Sequence, residues 1–170
     1  RQAPVDSERM ARFEMLAAYL RSAVLPRIPN SVPAGASRHH FAFVESFFSN
    51  YVEGTKFTIQ EARDIVLQNR PLSSRPADSH DILGVFRLAI TSPYRDSPPV
   101  AGEDFLSGLE HWHAELFKRR PEVNPGTTKR AANYAGNTPF VEPSKVRGTL
   151  EESSRLALSV PEGLARAVYY

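Results

Sequence analysis

The chain has 170 residues, 41% of them hydrophobic and 24% charged, which is ordinary for a globular domain with a substantial core. Its net charge is +2, and because the basic residues are dispersed apart from the run "FKRRPE", we expect no nucleic-acid polymer as a partner. The absence of cysteine excludes disulfides, zinc–thiolate centres and a cysteine nucleophile. No apolar run reaches 18 residues, so we expect no membrane partner. None of this fixes the compartment, for which we predict the cytoplasm.

The first predicted helix begins after Asp6, whose carboxylate can accept from free backbone N–H groups. Its apolar residues recur at helical spacing: Met10, Phe13, Leu16, Ala17 and Leu20. The proline-rich stretch "LPRIPNSVPAG" ends this helix. Residues 1–36 are therefore predicted to form an N-terminal helix and linker, and residues 37–170 a separate domain.

Ser37 is the predicted N-cap of the second helix. Its predicted C-terminal stop is Gly54, which can adopt the left-handed conformation. Its apolar stripe comprises Phe41, Val44, Phe48 and Val52, flanked by Phe47 and Tyr51. Thr58 and Glu61 match a T-x-x-E capping box, which predicts a third helix through Leu67.

Two further helices are predicted, one opening at Asp78 and one ending near Pro121. Residues 125–143 show no helical period, and a short hairpin that turns near Gly136 and Asn137 fits them better. Helical patterns return over residues 144–158 and, after a second capping box at Ser159 and Glu162, over residues 160–170. The predicted fold class is all-α with a small β-hairpin.

No local pattern marks a catalytic centre. The five histidines lack metal-ligand spacing, so we predict no metal site, and surface or helix-packing roles suit them better. Phosphate-binding loops and nucleophile motifs are absent from the sequence. The phenylalanines and Trp112 are predicted to be core residues.

One stretch carries a resemblance to a known family. The segment "SNYVEG", Ser49 to Gly54, resembles the S/T-x-x-x-E-G/N inhibitory motif of Fic-domain proteins, and "FTIQEA" follows where that family places its next helix. The stretch "PEVNPGTTKRAANYAGNTPFVEPSKVRGTLEE" is similar to the segment that precedes the Fic active site and contains its hairpin flap. The segment "LSVPEGLARAVYY" is similar to the helix leading into that site.

The resemblance runs from about Phe41 to Tyr170 and implies a Fic-like helical bundle. It further implies a self-inhibited adenylyltransferase that transfers AMP from ATP, with Mg²⁺, to a Ser, Thr or Tyr hydroxyl of a target protein. Glu53 would occupy an arginine that otherwise holds the γ-phosphate, because a carboxylate and a triphosphate compete for one guanidinium. Ser49 would brace the helix, and Gly54 would turn the chain away. The implied partners are the nucleotide and the target protein, with a homodimer as a further option.

The resemblance also implies a flap that docks the target by strand addition. Its predicted residues lie within Ala131 to Phe140, namely Asn133, Gly136, Asn137, Thr138 and Phe140. The Fic catalytic signature H-P-F-x-[DE]-G-N-G-R does not occur, so no catalytic residue is assigned and the chain is expected to stop before that signature. Three alternatives stay open: a non-catalytic all-α regulatory or interaction module, a plain surface loop for the flap, and an ordinary exposed acid for Glu53.

Overall fold

The computed structural model describes residues 3–29, 34–92, 94–102 and 104–170. Within these ranges it has a two-stranded antiparallel hairpin, β1 (Tyr134–Ala135) and β2 (Thr138–Pro139), and a 3₁₀ turn at Pro121–Val123. The rest of the regular structure is helical: α1 (Ser7–Ser22), α2 (Gly35–Val52), α3 (Ile59–Leu67), α4 (Pro76–Ile90), α5 (Phe105–Leu116), α6 (Pro143–Ala157) and α7 (Leu164–Tyr169). The prediction of an all-α fold with a small hairpin is confirmed. None of the described helices is long and apolar enough to cross a lipid bilayer.

The chain divides into two compact units, the first over residues 1–30, 99–109 and 128–170 and the second over residues 31–98 and 110–127. The boundary predicted at residue 36, between an N-terminal helix with its linker and the following domain, stays a prediction. Part of the proline-rich linker, residues 30–33, lies outside the described residues. The core of the first unit joins α1 to α6, α7 and the turn between them through Ala17, Leu20, Ala157, Val160, Ala165 and Tyr169.

The start of α1 is fixed against α6 in the first unit. As predicted, Asp6 caps the helix, with its side chain accepting from the N–H of Arg9 at 3.0 Å. The N–H of Asp6 in turn donates to the buried hydroxyl of Thr149 at 2.9 Å. The residue before Thr149 is Gly148. A Cβ at this position would clash with the backbone carbonyl oxygen of Pro4, so the close approach requires glycine. Gly148 and Thr149 of α6 therefore allow the segment that precedes α1 to pack closely against α6 and to hydrogen bond to it.

The second unit packs α2 and α3 against α4. Its core contains Ala42, Phe57, Ala62, Ile65, Val66, Ile82, Leu83 and Phe86. The predicted capping box at the start of α3 is confirmed, because Thr58 Oγ1 accepts from the N–H of Glu61 at 3.2 Å and Glu61 Oε2 accepts from the N–H of Thr58 at 2.8 Å. These bonds to Thr58, its backbone N–H first, hold the pKa of Glu61 below the ordinary value.

Two predicted helix starts are wrong by two to three residues. Helix α2 begins at Gly35 after the N-cap Ala34, so Ser37 is not its cap, and α4 begins at Pro76, whose missing N–H suits the first turn of a helix. The predicted capping box at Ser159 and Glu162 is also wrong. The Ser159 hydroxyl instead donates to the carbonyl of Leu156, and α7 starts later, at Leu164.

Candidate functional site

The motif Ser49–Gly54 forms the last turn of α2 and the residues that stop it. The N–H of Thr55 donates to the carbonyl of Asn50 at 2.9 Å, and the N–H of Gly54 donates to the carbonyl of Tyr51 at 3.1 Å. This pair of bonds is a Schellman motif, which requires a left-handed residue after the C-cap. Gly54 supplies that residue with φ of 98°, so the predicted stop of α2 at Gly54 is confirmed.

Glu53 is the C-cap residue of α2, and its side chain is exposed. Its backbone N–H donates to the carbonyl of Ser49 at 3.3 Å. Its carboxylate makes no hydrogen bond or ion pair with any residue that the structure describes. The negative end of the helix dipole also lies at this position, which disfavours an acid by about 0.3–1 kcal/mol. The Glu53 carboxylate therefore makes no contact that stabilises this helix end, and it is free to bind a cationic group other than those of the described residues.

The other polar residues of the motif differ in burial. The Ser49 hydroxyl donates to Glu45 Oε1 at 3.2 Å, an exposed contact one turn earlier on α2. The Asn50 side chain is instead buried, 5% exposed, and donates to the carbonyl of Ser46 at 2.9 Å. Asn50 is thus the polar motif residue that is packed inside the second unit. Nothing in the sequence singles out Asn50, because the pattern S/T-x-x-x-E-G/N leaves that position unspecified.

The prediction that the phenylalanines of α2 are core residues holds in part. Phe43 and Phe47 are partly buried and pack against the core of the second unit, whereas Phe41 and Phe48 are exposed. The exposed fractions are 46% for Phe41, 60% for Phe48 and 63% for Val52. The fully buried positions of the helix are small or polar, namely Ala42, Ser46 and Asn50. Small side chains at four-residue spacing let α2 approach α4 closely, since ridges and grooves then fit at short distance. The core prediction does hold for other phenylalanines: Phe57, Phe86 and Phe105 are buried.

The hairpin occupies the segment predicted for the flap. Tyr134 pairs with Pro139 and Ala135 with Thr138, so Gly136 and Asn137 are the two turn residues. Gly136 has φ of 58°, and glycine with positive φ at the first of two turn positions is typical of a type II′ hairpin. Two of the predicted flap residues extend the ladder, because the N–H of Phe140 donates to the carbonyl of Asn133 at 3.0 Å. Every residue from 131 to 140 is exposed.

The two edges of the hairpin differ chemically. Because the Asn133–Phe140 pair is hydrogen bonded, alternation in an antiparallel ladder makes Tyr134–Pro139 the pair whose backbone groups point outward. On the β2 edge, Pro139 has no N–H, and its carbonyl already accepts from the Arg9 guanidinium at 2.6 Å. On the β1 edge, the backbone of Tyr134 makes no other hydrogen bond among the described residues. Only the β1 edge can therefore accept another strand.

Several charged and imidazole groups outside the motif have structural roles. His113 Nδ1 accepts from the N–H of Gly126 at 2.9 Å, and burial lowers the pKa of this imidazole. Arg120, from the run "FKRRPE", binds Asp81 on α4 at 2.5 Å and Glu122 at 2.7 Å. The bond to Arg120 lowers the pKa of the Glu122 carboxyl. The ion pair between Arg120 and Asp81 holds the segment that follows α5 against α4 within the second unit. The sequence alone did not predict this role of Arg120.

The described residues contain no cluster of three or more His, Asp or Glu side chains suited to a metal ion. The sequence likewise has no glycine-rich phosphate loop. Comparison of the chain with family models, with characterised proteins and with solved structures gave no match.

Proposed function

We propose that this chain is the regulatory and target-docking part of a self-inhibited Fic protein. The whole protein transfers AMP from ATP to a Ser, Thr or Tyr hydroxyl of a target protein. Glu53 is the inhibitory group. The proposal rests on the sequence motif Ser49–Gly54, and the observation that supports it most is the exposed Glu53 carboxylate, which has no partner in the described part of the chain.

The proposed inhibition is competition for a cation. A guanidinium offers a planar fork of N–H donors that a carboxylate or a phosphate fills in the same geometry, so the two cannot bind it together. Glu53 is held at a defined position by the Schellman motif, which stops α2 at this residue and directs the following chain away. The apolar residues around it, Phe48 at 60% and Val52 at 63% exposure, give the helix an outer surface that can pack beside such a cation site.

No chemical step is assigned to the described residues, which contain no cluster of side chains suited to Mg²⁺. In the proposed reaction, ATP would supply the AMP group and Mg²⁺ would offset the phosphate charge. The use of ATP as donor is also the reason for proposing a cytoplasmic location.

The hairpin is the proposed docking site for the target. Backbone hydrogen bonds to an added strand give affinity with little demand on the target's sequence. The blocked edge at Pro139 and Arg9 directs that strand to the β1 edge, along Tyr134. The target backbone would then lie along this one edge of the hairpin, where its hydroxyl group can be positioned for transfer.

The test uses the intact parent protein and ATP labelled at the α-phosphate. Glu53→Gly removes the competing carboxylate, and we expect labelling of the protein or of a cell lysate to rise. If the helix position is a two-state gate, a loss of ~2–3 kcal/mol of bias corresponds to roughly 30- to 150-fold. Glu53→Gln keeps the shape but loses the charge, so we expect an intermediate rise.

The control is Glu14→Gln, an exposed acid on α1 for which the structure shows no partner among the described residues. Glu45 does not serve as the control because Ser49 of the motif donates to its carboxylate. The inhibitory role of Glu53 is wrong if Glu53→Gly stays folded and labels no more than the wild-type protein or the Glu14→Gln variant.

The alternative is a non-catalytic all-α regulatory or interaction module. The exposed apolar face of α2, at Phe41, Phe48 and Val52, favours it because such a face is a common feature of interaction surfaces. The same labelling experiment separates the two functions. No incorporation above background in the wild-type and Glu53→Gly proteins leaves the interaction module as the better explanation.

A further inference from the structure

We propose that a groove between α2 and α3 binds a small amphiphilic carboxylate, that is, a molecule with one carboxylate head and an unbranched apolar chain. The groove lies entirely within the second unit and has a volume of about 460 Å³. This volume is within the range of roughly 300–1,000 Å³ that is usual for small-molecule sites. The site is independent of Glu53 and of the proposed transfer reaction.

The apolar part of the groove consists of side chains that the fold leaves open. Four apolar residues line it, two from each helix: Ala36, Phe43, Ile59 and Leu67. Ile59 is 62% exposed and Leu67 51% exposed, although both belong to the short helix α3 whose other apolar residues are buried. Covering these walls with a hydrocarbon chain would remove apolar surface from water, at about 25 cal/mol per Å².

The polar part of the groove is basic. Arg63, His39 and His40 line it, and no acidic side chain does. Arg63 makes no ion pair or hydrogen bond with the residues that the structure describes. The two carboxylates of α3 are engaged elsewhere, because Glu61 binds Thr58 and Asp64 accepts from Gln60 and Gln68. The groove therefore offers a guanidinium without an internal counter-charge, beside apolar walls.

This combination selects the ligand class. A carboxylate fits the guanidinium fork, and an apolar chain fits the walls formed by Ile59 and Leu67. A strand-like peptide is a poorer fit, since both walls are helices whose backbone groups bond within the helix. A phosphate or nucleotide is also poorer, because four of the seven lining side chains are apolar.

The experiment titrates the full chain with decanoate, below the concentration at which it forms micelles, by calorimetry and by NMR of the Ile59 and Leu67 methyl groups. We expect saturable one-to-one binding with shifts at both residues. Decanol, which lacks the charge, and butyrate, which lacks the chain, should each bind at least about tenfold more weakly. Raising the salt concentration should weaken decanoate binding and leave decanol unchanged.

Two exposed substitutions test the two halves of the groove. Arg63→Gln should weaken decanoate about tenfold, the loss expected for one charge-assisted hydrogen bond, and leave decanol unchanged. Ile59→Asp should weaken both ligands. Arg70→Gln, an exposed arginine outside the groove, is the matched control and should bind decanoate as the wild type does. The absence of saturable decanoate binding, equal binding of decanoate and decanol, or an unchanged affinity in Arg63→Gln each overturns the proposal.

Discussion

Tyr169 gives a stability prediction with a defined pH window. Its side chain is 5% exposed in the core of the first unit, and its hydroxyl donates to the carbonyl of Ser153 at 2.9 Å. Burial, together with the neighbouring Tyr170 hydroxyl, raises the pKa of Tyr169 to about 12 from an ordinary value of 10.0. The same hydroxyl therefore stabilises the fold while protonated and opposes it once ionised.

The sign follows from proton linkage. Above pH 10 the unfolded chain releases the tyrosine proton while the folded protein still holds it, so stability falls as the pH rises toward 12. The fall amounts to at most about 1.4 kcal/mol per pH unit in this window. Tyr169→Phe keeps the ring and removes both the hydrogen bond and the titration. At pH 8 we expect the variant to be less stable than the wild type by about 1 kcal/mol, the usual net value of one hydrogen bond.

The assay is urea unfolding of both proteins at pH 8, 10 and 11, with Tyr134→Phe, an exposed tyrosine of the hairpin, as the control. The difference of about 1 kcal/mol at pH 8 should shrink above pH 10 and be close to zero at pH 11. Tyr134→Phe should follow the wild type throughout. A difference between wild type and Tyr169→Phe that stays constant from pH 8 to pH 11 would refute the reasoning.

Two further substitutions test features of the fold. Thr58→Ala removes the N-cap of α3 and should cost about 1 kcal/mol in urea unfolding, whereas Thr55→Ala, outside the cap, should cost less; equal losses would contradict the capping role. Gly148→Ala places a Cβ against the backbone carbonyl of Pro4 and should cost about 1–3 kcal/mol, because backbone must move. Ser144→Ala, exposed on the same helix, should be near neutral, and a Gly148→Ala protein as stable as this control would show that the segment yields freely.

Helix caps and turns could be predicted from the sequence where a few neighbouring residues determine the local backbone conformation. The Asp6 cap, the Thr58–Glu61 capping box, the stop at Gly54 and the turn at Gly136 each depend on hydrogen bonds or φ angles within about five residues. The wrong capping box at Ser159 shows the limit of this reasoning. Its hydroxyl has other partners, because it donates to Leu156 and accepts from Arg21, which is 138 residues away in the chain.

The orientation of α2 could not be read because two faces of that helix carry plausible core residues. Hydrophobicity favoured the large stripe that includes Phe48 and Val52. The fold instead fully buries Ala42, Ser46 and Asn50, and Phe43 and Phe47 pack against the same core while partly exposed. For the candidate site, sequence placed Glu53 at the end of a helix but gave no information on its exposure or partners.

The unequal edges of the hairpin also bear on aggregation. A short exposed hairpin is a template on which strands of other molecules can assemble, and growth of an extended sheet needs two open edges on every unit. Here Pro139 and the Arg9 guanidinium close the β2 edge, so a strand can be added only beside Tyr134. Two hairpins could pair through their open edges, but that pair would present closed edges on both sides. The hairpin can thus accept one strand without seeding a fibre.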